Sequence, residues 1–253
     1  MRSPFFHGVG GVVSADIAVP EHERELSFYS AVLTTGDSPL WREDLSNNVG
    51  TPVIGLGIRA PEYESLPLQW MPHFQVADVG RSVASAVELG GKEFWHSKTD
   101  EGEIQWAALY DPAGAAFGLI PAVSSDSKTH SNGCVGGISW LSLRVPDASM
   151  IQDFYKQVIG WSSKSIEFGS ELASKKFEMQ TGNDCTVAEI GEIDSNRNGI
   201  PSVWLIHLPV DDFPESLRRV SECGGKIIKE PGDSDYAVVR DPVGVYFALL
   251  SGK

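Results

Sequence analysis

The chain has 253 residues, 42% of them hydrophobic and 21% charged, a globular composition with length for one large or two ordinary domains. A formal net charge of −14 excludes a nucleic-acid partner, which demands basic patches, and an anionic membrane surface as a docking site. No apolar run has the length of a membrane span, and Asp16 interrupts the apolar N-terminal stretch, which lacks the basic region and cleavage site of a secretory leader.

The first predicted strand is SADIAVPE (14–21), followed by an amphipathic helix in ERELSFYSAVL (23–33) and a β-rich run, TPVIGLGI (51–58). A second strand lies in WMPHFQVAD (70–78) and leads into a helix over RSVASAVELG (81–90). Two further strands follow in GEIQWAALYDP (102–112) and DPAGAAFGLI (111–120). The polar run SSDSKTHSNG (124–133) has no periodicity and reads as a linker. The expected organisation is a domain over 1–123, a linker over 124–135 and a second domain over 136–253.

Beyond the linker the order starts again. WLSLRVPD (140–147) precedes a helix in SMIQDFYKQVIG (149–160) and a strand in CTVAEIGEI (185–193). WLIHLPVDD (204–212) precedes ESLRRVSECG (215–224), SDYAVVRDP (234–242) and DPVGVYFALL (241–250). Asp78, Asp147 and Asp212 stand where helix N-caps are needed, and Gly90, Gly160 and Gly224 where helices end. Those acids are therefore assigned to caps and not to catalysis. Cys134, Cys185 and Cys223 are widely spaced with no CxxC, which predicts free thiols and a cytoplasmic location.

Several phrases recur in order at nearly constant spacing. Phe28-Tyr29 and Phe154-Tyr155 are 126 residues apart, Gly90-Gly91-Lys92 and Gly224-Gly225-Lys226 are 134 apart, and the two DPxG phrases are 130 apart. The pattern Trp-x-x-His-x-x-Val-x-Asp occurs at 70–78 and at 204–212. The chain is a tandem duplication, and each half repeats a strand–helix–strands unit twice.

Four such units, with FY in the first helix, W-x-x-x-x-x-V-x-D, L-G-G-K and D-P-x-G-x-x-F, resemble the vicinal oxygen chelate superfamily over residues 10 to 251. That group includes glyoxalase I, the bleomycin- and fosfomycin-resistance proteins and the extradiol dioxygenases. The resemblance implies an α+β fold of tandem domains, each of two βαβββ modules forming an open, barrel-like cup around a ligand. In metal-dependent members a ligand lies five residues before the valine of V-x-D, and a glutamate lies seven residues after the aspartate of D-P-x-G.

Carried over residue by residue, that ligand set is missing. The first-strand positions are Ser14, Met71, Trp140 and Leu205, and the last-strand positions are Gly118 and Ala248. Gly55 and Glu189 hold the remaining places, and Glu189 is the only oxygen donor suited to the role, where a catalytic divalent metal takes about three protein ligands. The expectation is no metal, no cofactor and no metal-dependent extradiol dioxygenase chemistry, with Glu189 a surface or strand-edge acid.

Strand alternation places His73 beside Met71 and His207 beside Leu205 on the inner faces of separate cups. His73 and His207 are the candidate catalytic residues, each expected as a lone polar group with no carboxylate partner visible in sequence. The candidate ligand-binding set is Met71, His73, Trp106, Phe117, Trp140, Leu205, His207, Tyr236 and Phe247, an apolar and aromatic lining suited to a planar or hydrophobic small molecule. Trp70 and Trp204 have the opposite parity and are expected to pack in the core. The resemblance thus implies a metal-independent small-molecule binding protein, akin to the drug-sequestering branch or a two-domain hydroxylase-like branch. A glyoxalase-like lyase or isomerase using a pocket histidine is the alternative, and monomer and homodimer both stay open.

Overall fold

The computed structural model describes residues 8–33, 53–123, 138–166, 175–182, 184–193, 199–230 and 235–252. The expected linker and Cys134 lie outside the described residues, while Cys185 and Cys223 are free. The N-terminal half contains β1 (Val12–Val19), α1 (His22–Leu33), β2 (Val53–Ile58), β3 (Met71–Val76), α2 (Val79–Glu88), β4 (Lys92–Lys98), β5 (Ile104–Tyr110) and β6 (Ala116–Pro121). The C-terminal half contains β7 (Trp140–Val145), α3 (Ala148–Ile159), β8 (Ser162–Ser165), β9 (Lys176–Gln180) and β10 (Thr186–Glu192). It continues with β11 (Trp204–Val210), α4 (Phe213–Glu222), β12 (Lys226–Lys229), β13 (Tyr236–Arg240) and β14 (Tyr246–Ser251). Three modules show the full βαβββ order; in the first, residues 34–52 lie outside the described set.

Each half owns one sheet. The strand orders are β2-β1-β3-β6-β5-β4 and β12-β13-β14-β11-β7-β10-β9-β8, mixed and not closed into a barrel. The central strands β3 and β11 are buried along their whole length, so both of their faces are covered. The predicted caps are in place. Asp78, Asp147 and Asp212 each accept a hydrogen bond from the backbone amide three residues on, satisfying a donor that the first helical turn leaves free.

The helical sides of the two sheets meet. α1 packs against α4 and α2 against α3, and one hydrophobic core runs through both halves. Phe74 of β3 illustrates the join: its ring lies 5.0 Å from Trp161, 5.6 Å from Trp204 and 5.9 Å from Tyr155, all across the duplication. Trp70 and Trp204 point into this core, as strand parity predicts.

The repeated phrases are the parts of that join. Trp70 Nε1 donates to the Tyr29 hydroxyl (3.2 Å), which donates to Asp241 of the other half (2.9 Å). Trp204 Nε1 donates to Tyr155 (2.8 Å), which donates to Asp111 (3.1 Å). Each aspartate also closes its own D-P-x-G turn by accepting two backbone amides, Ala113 and Ala115 for Asp111, Val243 and Val245 for Asp241. The second glycine of each GGK admits the other half's phenylalanine. A Cβ on Gly91 would stand 3.2 Å from Phe154 and 2.8 Å from a backbone carbonyl, and one on Gly225 would stand 2.8 Å from Phe28. Two reciprocal clasps therefore hold the halves together.

Candidate functional site

The faces turned away from the shared core form two separate inner surfaces. In the N-terminal half, Met71, Ala108 and Ala116 are buried beneath Phe94, Trp95, Trp106 and Tyr110. In the C-terminal half, Val203, Leu205 and Val238 are buried with Ile200, Ile228, Tyr236 and Tyr246 packed against them. Met71 and Leu205 thus sit where their parity puts them, on cup floors.

His73 stands on the N-terminal floor, 3% exposed, with its ring 5.9 Å from Trp106. It is not the lone polar group expected. Asp16 of β1 places a carboxylate oxygen 3.2 Å from His73 Nδ1, and Ser14 Oγ donates to the same oxygen at 3.1 Å while lying 3.3 Å from Nδ1. The single hydroxyl hydrogen of Ser14 goes to Asp16, and a carboxylate only accepts. Nδ1 must therefore carry a hydrogen and donate it to Asp16, leaving Nε2 as the bare nitrogen of a neutral imidazole. Burial pushes the His73 pKa down to about 4, in keeping with that neutral ring. Nε2 is buried and has no hydrogen-bond partner.

Gly118 makes room for this ring. β6 runs beside β3 with Gly118 opposite His73, and a Cβ there would fall 2.9 Å from Nε2 and overlap the ring. This is the last-strand position at which the resemblance calls for a glutamate ligand. The space such a side chain would enter is held by the imidazole.

The C-terminal floor is built differently. His207 is 3% exposed, lies across the ladder from Trp140, sits 4.7 Å from the Tyr236 ring and has Nε2 2.8 Å from Ser142 Oγ. Burial, only partly offset by Glu189, pushes its pKa down to about 3. Trp140 and Tyr236 therefore join His207 on one surface. Phe117 and Phe247 do not: each belongs to the shared core, with Phe117 against Phe74, Phe154 and Tyr155, and Phe247 against Phe28 and Tyr29. Each stands immediately before the inward position on its strand, Gly118 or Ala248, and pleating sends it to the opposite face.

Glu189 also departs from expectation. β10 lies inside its sheet, between β7 and β9, so Glu189 is neither an edge nor a surface acid. Its register partner is Ser142, as Gly55 is the register partner of Asp16, which places it on the cup floor. There it pairs with Arg144 and Lys176. Burial pushes its carboxyl up, but the two cations outweigh that and hold it below the usual range.

One column in the four-fold repeat carries the polar groups of both floors. Three residues before the valine of each V-x-D or V-x-E stand Asp16, His73, Ser142 and His207, a polar residue in every one of the four strands. Aligning the four first strands, and not just the two histidine-bearing ones, exposes Asp16 as the partner of His73. At the positions where the family's metal ligands fall, the donor set does not fit a divalent ion: Ser14, Met71, Gly55 and Gly118 in one cup, Trp140, Leu205, Ala248 and a doubly paired Glu189 in the other. Among the described residues no three His, Cys, Asp or Glu side chains are grouped to hold a metal.

Known proteins are similar to both halves. A family model described as Glyoxalase/Bleomycin resistance protein/Dioxygenase superfamily matches residues 137–249, and one described as Glyoxalase-like domain matches residues 13–120. A Mycobacterium tuberculosis protein provisionally named a glyoxylase is 28% identical over 192 residues, 74% of this chain and 71% of that one. The anthracycline biosynthesis protein DnrV of Streptomyces peucetius is 25% identical over 194 residues, 75% of this chain and 68% of that one. The crystal structure of the Mn(II)-bound glyoxalase from Novosphingobium aromaticivorans superposes with a TM-score of 0.55 at 16% identity, covering 98% of this chain and 83% of that one, a likeness of fold. No helix among the described residues is long and apolar enough to cross a membrane.

Proposed function

The chain belongs to the glyoxalase/bleomycin resistance protein/dioxygenase superfamily, the vicinal oxygen chelate group, and from that premise we propose that its N-terminal cup binds a small molecule without a metal ion. The ligand is a flat, largely apolar molecule that donates a hydroxyl or N–H to His73 Nε2. The observation that carries this reading is the state of that nitrogen. It is buried, unpartnered and held bare by Asp16, and a buried polar atom left unsatisfied costs about 1–3 kcal/mol. A ligand donor reaching it would recover that cost, while Trp106, Trp95 and Phe94 supply aromatic surface for the ring.

A second reading is favoured by Asp16 specifically. A carboxylate behind a neutral histidine is the arrangement of a general base, and it supports glyoxalase-like lyase or isomerase chemistry with His73 accepting the proton. Native mass spectrometry of the full chain from its own host, beside His73→Ala, tests the first reading. The expected result is a mass adduct on the wild type that His73→Ala loses; a bare wild-type chain would overturn it. The same two proteins, assayed with the methylglyoxal–glutathione hemithioacetal, separate the readings. Turnover abolished by His73→Ala marks an enzyme, and no turnover marks a binding protein.

A further inference from the structure

We propose that the C-terminal cup is a second, chemically different site, in which Arg144 takes the place of a metal ion and binds the carboxylate of a flat aromatic acid. The inference concerns the other cup and does not rest on the reading of His73. Its starting point is the position of Glu189, the one family ligand place here that holds an acid. A metal would sit in front of that carboxylate. Instead, Arg144 Nη2 and Lys176 Nζ pair with it, and these three groups together carry one net positive charge. The next acid along that face, Glu178, stands opposite Lys164 in the β8–β9 ladder, so it has a cation of its own in register.

The guanidinium is fitted to this place. Arg144 lies across Gly191 on the neighbouring strand, where a Cβ would come within 2.5 Å of Nη1 and 3.1 Å of the guanidinium carbon. Gly191 is thus to Arg144 what Gly118 is to His73: an absent side chain that lets a functional one lie on the floor. With Nη2 committed to Glu189, Nη1 is buried and has no hydrogen-bond partner. Guanidinium groups match carboxylates two nitrogens to two oxygens, and a buried donor without an acceptor is a place for one. Trp140 and Tyr236 flank the same floor and give a ring something to pack on, while neutral His207 adds no competing charge.

The two cups then select opposite partners. The N-terminal floor presents a bare nitrogen backed by a carboxylate, which favours donors and repels anions. The C-terminal floor presents an excess cation, which favours acceptors.

Ligand-observed NMR titration of the full chain with sodium benzoate, and separately with benzyl alcohol on the His73→Ala chain, whose N-terminal cup lacks the nitrogen that would take the alcohol's hydroxyl, tests this. Benzoate is expected to bind at least about tenfold more tightly than the alcohol, and Arg144→Leu to lose at least about tenfold in benzoate affinity. Arg144→Lys keeps a cation opposite Glu189 but removes the second nitrogen, so it should lose benzoate binding while its thermal unfolding stays near that of the wild type. His73→Ala should leave benzoate binding unchanged. Equal affinity for the acid and the alcohol, undiminished binding by Arg144→Lys, or loss of binding in His73→Ala would each overturn the proposal.

Discussion

At the scale of single residues, the two histidines share a motif, a burial and a strand position, yet they do different things. His73 turns Nδ1 to Asp16 and leaves Nε2 bare, whereas His207 engages Ser142 through Nε2. The difference is set one strand away, where Asp16 faces Gly55 and Ser142 faces Glu189. Strand parity in the sequence was enough to place both histidines on inner faces, since alternation is local. Their partners were not legible, because pairing across strands joins Asp16 to His73 and Ser142 to His207, 57 and 65 positions apart in the chain. The buried rings make acid stability a direct check. Each has a native pKa (about 4 and about 3) below the ordinary 6.5, so the unfolded chain takes up protons that the native state refuses. Their contribution is complete above pH 6.5 and is lost as the pH falls toward 4 and then 3. Urea midpoints measured from pH 7.5 to 4.5 should fall with acid in the wild type and fall less in a His73→Gln, His207→Gln double variant; equal slopes would refute the assignment.

At the scale of elements, the recurring phrases turn out to act across the duplication. Their order and spacing gave the four modules, because helix and strand periodicity repeats with them. What each phrase touches lay beyond reading, since Tyr29 and its partner Asp241 are 212 positions apart. The same geometry explains the misplacement of Phe117 and Phe247. Each follows a D-P-x-G turn whose aspartate is clasped from the other half, and the strand leaving that turn directs them to the shared core. Removing one hydroxyl from a clasp leaves Asp241 Oδ2 and Trp70 Nε1 without it, both buried. Tyr29→Phe is expected to lower unfolding free energy by about 1–3 kcal/mol, read from chemical denaturation. Glu25 lies beside the same clasp, fully buried, and burial next to Asp241 raises its pKa to about 8. A carboxyl raised in the native state stabilises below its unfolded pKa and loses that contribution as the pH rises toward 8. The Tyr29 clasp should therefore be the one that weakens in mild alkali, because Ile151 stands where the duplication would place a second Glu25.

At the scale of the whole molecule, duplication has produced one core and two cups. The core stayed symmetric: both clasps use Trp, Tyr and Asp in the same order, and both GGK glycines admit a phenylalanine. The cups diverged, one toward a neutral, aromatic-walled acceptor and the other toward a cation held over a glycine. In the N-terminal cup the His73 ring fills the volume that a glutamate ligand at position 118 would need, and in the C-terminal cup Arg144 and Lys176 already pair with Glu189, which ties the proposed metal independence to packing and pairing and not only to ligand count. The most direct test is the affinity of the protein for phenol, a flat ring with one donor, before and after exhaustive treatment with a chelator. The predicted result is an affinity unchanged by the chelator and abolished by His73→Ala. Binding that disappears on chelation and returns with added zinc or manganese would contradict the account.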